Sequence, residues 1–177
     1  RANVKDAGRH PDVAATIDLE GYDDAKTVNI RFPDGLMGSL AAVPTANRCS
    51  LTQANAGSCP NSDRIGSLSE LATNPRDGDL TATGDLFLVD SGDVAIPADA
   101  AAAVALDLLA PNNLGRIRAL GYIKVPKGDG SRTLQLVAPN IPNSTIPSTT
   151  PETRASALRF HAREVTVTVD GDTGGSV

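Results

Sequence analysis

Ile117-Arg118-Ala119-Leu120-Gly121-Tyr122-Ile123-Lys124-Val125, followed by Lys127-Gly128-Asp129-Gly130 and then Leu134-Gln135-Leu136-Val137-Ala138, sets the fold class. Ile117, Ala119, Gly121, Ile123 and Val125 share one parity, and successive side chains of a strand point to opposite faces. Leu134, Leu136 and Ala138 repeat the pattern, and the Gly-Asp-Gly segment between the two runs has the backbone freedom of a tight turn. The stretch predicts an antiparallel hairpin.

The same period of two recurs on both sides. Downstream, a Pro, Ser and Thr-rich loop from Pro139 to Pro151 is too poor in apolar residues to be core, and Val165, Val167 and Val169 then alternate with Thr166 and Thr168. Upstream, Val104, Leu106 and Leu108 alternate with Ala105 and Asp107, while the alanine-rich run Ala98 to Ala105 predicts a short helix or loop leading into that strand. Ile65 to Leu71 and Leu80 to Val89 read as strands joined through Asn74-Pro75-Arg76-Asp77-Gly78. Val13, Ala15, Ile17 and Leu19 form the first strand and Val28, Ile30 and Phe32 the second, with Asp23-Asp24 between them as a hairpin or a sheet-to-sheet crossing. Phe32-Pro33-Asp34-Gly35 stops the second strand. About eight to ten short strands without βα alternation predict an all-β antiparallel fold, a β-sandwich or barrel-like, over residues 1–177 as a single module. With Arg1 at its start and Gly174-Gly175-Ser176-Val177 at its end, the chain reads as a module excised from a longer multidomain protein.

With no Trp and 3% aromatic residues, the core falls to Val, Leu, Ile and Ala. A net charge of −5 with Lys and Arg scattered singly argues against a nucleic-acid partner, which needs clustered cations. No apolar run reaches the roughly 18 residues that span a bilayer, so membrane insertion is not expected. The acids are mostly Asp beside Gly, which is turn chemistry. The alternative for these loops is calcium binding, with Asp77, Asp79, Asp170 and Asp172 as the candidate ligands.

Cys49 and Cys59 lack the close pairing and the His partners of a zinc site and the C-x-x-C spacing of a redox motif. Between them, Ser50 reads as an N-cap and Gly57 as a helix stop, so one or two helical turns fold the loop back and bring the sulfurs together. The expectation is a disulfide across a short helical loop, and with it an oxidising compartment. Two unrelated buried thiols are the alternative.

Catalytic signatures are sparse. No G-x-S-x-G elbow occurs, and neither His10 nor His161 is tied in sequence to a nucleophile. The abundant Asp residues leave an acidic-pair hydrolase as the third reading, weakened by the scarcity of aromatic platforms for sugars, namely Tyr22, Tyr122, Phe32, Phe87 and Phe160. Asn143-Ser144-Thr145 meets the glycosylation sequon, which marks Asn143 as a candidate modification site.

Ala7-Gly8-Arg9-His10-Pro11-Asp12, Pro33-Asp34-Gly35-Leu36-Met37-Gly38, Ala42-Val43-Pro44, Cys49 and Cys59-Pro60-Asn61-Ser62-Asp63-Arg64-Ile65-Gly66 follow one another in an order that resembles a module of large secreted or surface proteins of actinobacteria and similar bacteria. The similarity is clearest over about the first 66 residues, and here Thr45-Ala46-Asn47 are inserted before the first Cys. The resemblance implies extracellular placement, a multidomain parent and a disulfide, and assigns no catalytic residue. Together these readings predict a non-enzymatic structural, adhesive or assembly module without a cofactor. Its expected partners are neighbouring domains or copies of itself, met through edge strands. A calcium-dependent binding module is the runner-up.

Overall fold

The computed structural model describes residues 12–19, 26–32, 44–74, 78–111, 114–124, 134–143 and 160–171. They form eight strands: β1 (Val13–Asp18), β2 (Thr27–Arg31), β3 (Arg64–Asn74), β4 (Gly78–Val89), β5 (Ala100–Leu109), β6 (Arg116–Lys124), β7 (Gln135–Pro139) and β8 (His161–Val169). One short helix, α1 (Leu51–Ala56), lies between β2 and β3.

All eight strands belong to one sheet in the order β1-β8-β3-β4-β5-β6-β7-β2, and every neighbouring pair is antiparallel. The odd-numbered strands therefore run one way and the even-numbered ones the other. Alternation of apolar residues gives the sheet one oily face, and a single core cluster takes side chains from all of it. Val13 of β1 and Val28 and Ile30 of β2, from the two ends of the order, join Leu68, Val104 and Leu106 from its middle. A flat sheet cannot bring its two ends onto its centre, so the sheet is rolled into a nearly closed barrel around this core.

β1 and β2 stand at opposite ends of the strand order and pair with β8 and β7 respectively, so the hairpin expected of them is not a ladder pair. The two strands instead form the two edges of the rolled sheet. Asp23-Asp24 lies outside the described residues. The hairpin of β6 and β7 does form, but its ladder has only three pairs, Tyr122 with Val137, Ile123 with Leu136 and Lys124 with Gln135; its turn also lies outside the described residues.

The alanine run is corrected. Ala100 to Ala105 is strand, the first part of β5, paired with β6 from Ala100 and with β4 from Ala103. Alanine's helix preference is worth only tenths of a kcal/mol per residue, and tertiary burial overrides it. The overriding burial is two-sided: Val104, Leu106 and Leu108 face the barrel interior, while Ala103 and Ala105 join Phe87 and Val89 of β4 in a second cluster on the outer face. Small side chains there let the Cys49–Cys59 segment sit directly on the sheet.

That segment is built as its sequence predicts. Cys49 and Cys59 are bridged with their Cα atoms 5.2 Å apart. The Ser50 side chain accepts the Gln53 N–H, and Gln53 Oε1 accepts the Ser50 N–H at 2.9 Å, forming a capping box at the start of α1. Gly57 ends the helix at φ 66°, a left-handed conformation that glycine adopts without steric cost. Cys49 is stitched to β4, its N–H donating to Leu88 O and its carbonyl accepting from Asp90 N–H. At the other end, Arg118 of β6 donates to the Asn55 and Ala56 carbonyls at the C-terminus of α1 and to Asp107 of β5.

Candidate functional site

At the end of the barrel where β1, β3, β5 and β7 finish, the core leaves a cavity of about 50 Å³. Its wall is largely apolar and includes Leu68, Leu106, Leu108, Ile117, Phe160 and Val165. One acid interrupts it. In β3 the inward parity runs Gly66, Leu68, Glu70, Ala72 and Asn74, so strand geometry alone carries the Glu70 side chain into the barrel. Its ladder neighbours are Ala82 of β4 and Val165 of β8, neither of which offers a hydrogen bond from its side chain.

Glu70 is 4% exposed, and its Oε1 has no hydrogen-bond partner. Desolvation pushes its carboxyl up from the ordinary 4.5 to about 7. Such a group holds a proton near neutrality, or sheds it when a cation arrives. Asn143 is the other polar side chain among the described wall residues.

A second, shallower groove of about 360 Å³ lies outside the barrel between α1, β6 and the end of β7, with Asn55, Arg118, Tyr122, Pro139 and Asn140 around it. Leu106 and Ala119 border both spaces. The groove exists because β6 and β7 part. Leu134 O accepts from Phe32 N–H on the β2 side, and the Val137 carbonyl lies against Gly121 of β6, so odd-numbered residues of β7 turn their polar backbone to β6. Pro139 is the next such residue and has no N–H to give. Asn140 then turns away in the left-handed region, φ 55°.

Of the acids singled out in the sequence, Asp79 and Asp170 lie among the described residues, at opposite ends of the barrel. Asp79, at the start of β4, accepts from Thr73 Oγ1 at 2.6 Å and pairs with Arg163 at 3.2 Å. Asp170, just past β8 at the opposite end of the barrel, pairs with Arg64 at 2.6 Å, and Arg64 also holds Asp85. Asp77 and Asp172 lie outside the described residues. Among the described residues no three His, Cys, Asp or Glu side chains gather as a metal site. Asn143 is half-buried at the cavity, its carbonyl accepting from Phe160 N–H at 3.1 Å; Ser144 and Thr145 of its sequon lie outside the described residues, as does His10. His161 opens β8.

Glu70 is the residue that sequence reasoning passed over. Its signal was present: it shares parity with Leu68 and Ala72, whereas Ser67 and Ser69 take the other face. No helix among the described residues is long and apolar enough to cross a membrane. Comparison of the chain with models of known protein families, with curated proteins and with solved structures finds no match.

Proposed function

We propose that this chain is a non-enzymatic structural module of a secreted or surface-exposed protein, serving as a spacer, adhesive unit or assembly subunit. The observation that carries this reading is the Cys49–Cys59 clamp, laid over the outer face of β4 and β5 so that Phe87, Val89, Ala103 and Ala105 are buried on that side too. A disulfide persists in oxidising surroundings, and one that fixes a structural cover points outside the cytoplasm. Ion pairs on the outer surface, Arg64 with Asp85 and Asp170 and Asp107 with Arg116 and Arg118, agree with a module that faces water while its apolar residues turn inward. Membrane-spanning barrels have the reverse arrangement. Association with neighbouring domains or copies belongs to the same reading, and the ends of the strand order, β1 and β2, are where an added strand would pair.

Protease treatment of intact cells that make the parent protein tests the placement. The module is expected to be cut or released from whole cells, and to show no alkylatable thiol in acid-quenched extracts. Full protection in intact cells together with two alkylated cysteines would overturn the reading. Sedimentation of the parent-length protein over a hundredfold concentration range tests assembly, where a growing sedimentation coefficient is expected and a constant monomer value removes that part.

A further inference from the structure

The cavity beside Glu70 has features that a structural role leaves unexplained. A buried carboxyl with one oxygen left unpartnered destabilises a fold, and an apolar residue of similar size would fill the space at less cost. It stands at the wall of a largely apolar cavity, where a small occupant could supply a partner.

We propose that this cavity binds a short alkylammonium ion, its hydrocarbon chain against Leu68, Leu106, Leu108 and Ile117 and its ammonium group on the Glu70 carboxylate. Three properties choose this ligand. The volume of about 50 Å³ has room for about four water-sized groups, which suits a small molecule of three to five heavy atoms. An ionised carboxylate only accepts hydrogen bonds, and an ammonium brings three donors with the opposite charge, whereas an alcohol would leave the charge unneutralised. The net charge of −5 draws cations towards the chain and repels carboxylates of the same shape. Leu106 and Ala119, level with the end of the β6–β7 ladder, line both this space and the outer groove, and entry of the ligand between them is part of the proposal.

Binding ionises Glu70, whose proton leaves to solvent, so affinity rises with pH. From every element around the cavity the described wall residues are apolar except Glu70 and Asn143, and the charged Arg163 and Glu164 of β8, Asp79 of β4 and Arg116 of β6 are not part of the wall. Among the described wall residues, Glu70 is thus the group that titrates. With its carboxyl at about 7 in the empty protein, binding is expected to be about tenfold weaker at pH 6 than at pH 8.

Calorimetric titration of the 177-residue chain with n-butylamine, n-butanol and n-butyrate tests the proposal. Saturable binding of n-butylamine at pH 8 is expected, with at least tenfold weaker binding of the other two and of n-butylamine to Glu70→Gln. That variant removes a buried charge and is expected to fold; if it does not, the pH profile of the unaltered chain decides. Absence of saturation up to about 100 mM n-butylamine, equal binding by Glu70→Gln, preference for n-butyrate, or a flat pH profile would each overturn the proposal.

Discussion

Glu70 ties the protein's stability to pH in a direction opposite to most carboxylates. The unfolded chain ionises this group near 4.5 and the folded chain near 7, so between those values the folded state holds the extra proton. Its contribution is therefore full below pH 4.5 and is lost as pH rises through 7, to a total of about 3 kcal/mol. Glu70→Gln carries no such charge. In urea titrations the variant is expected to match the unaltered protein within about 1 kcal/mol at pH 4.5 and to exceed it by about 1–3 kcal/mol at pH 8, the amide's own unmet hydrogen bonds taking back part of the gain. A difference that does not change with pH would show that Glu70 ionises normally. The inward position of this residue was legible in the parity of Leu68, Glu70 and Ala72. Its isolation was not, because the neighbours that fail to pair with it, Ala82 and Val165, come from strands far away in sequence.

Among the elements, local signals were read well wherever they were self-contained. Ser50, Gln53 and Gly57 cap a helix within one short segment, and the fold uses all three. The alanine run misled because its preference is set by what lies above and below it: Ala103 and Ala105 are strand residues on account of the clamp packed over them, a contact with no local trace. The clamp is correspondingly expected to be a local support. On the chain-entropy account, closing so short a loop is worth about 3 kcal/mol. Reducing Cys49–Cys59 is expected to release α1 and expose Phe87 and Val89 while the interior cluster stays intact. Hydrogen exchange after reduction would then show loss of protection at Ala54, Gly57 and Cys49 and retained protection at Leu68, Leu106 and Val167. Collapse of protection in both sets together would make the clamp a requirement of the whole barrel.

For the whole molecule, strand periodicity told which side chains face inward and left open how the sheet closes. Eight strands with one oily face satisfy the same alternation in a sandwich or in a barrel; closure depends on β1 and β2 reaching the two ends of one strand order, which involves pairings across nearly the full chain. Closure also leaves the barrel unevenly tied. β3 is held along most of its length by β4 on one side and β8 on the other, and β4 from Leu86 to Val89 and β5 from Ala102 to Leu106 are buried on both faces. β2 is bonded to β7, and β7 reaches β6 through three pairs before Pro139 interrupts the ladder. Opening the β6–β7 rungs frees two strands for the loss of few backbone hydrogen bonds, so this side is expected to open first under native conditions. Amides of Val28, Ile30, Leu136 and Ala138 should exchange at least about a hundredfold faster than those of Leu68, Leu86 and Val104, a gap of about 2.7 kcal/mol. Restoring a donor with Pro139→Val is expected to narrow that gap by lengthening the ladder towards Leu120. If β2 and β7 exchange as slowly as β4, the three-rung junction is not the weak side of the barrel, and the outer groove is then a fixed feature of the surface rather than the place where the sheet opens.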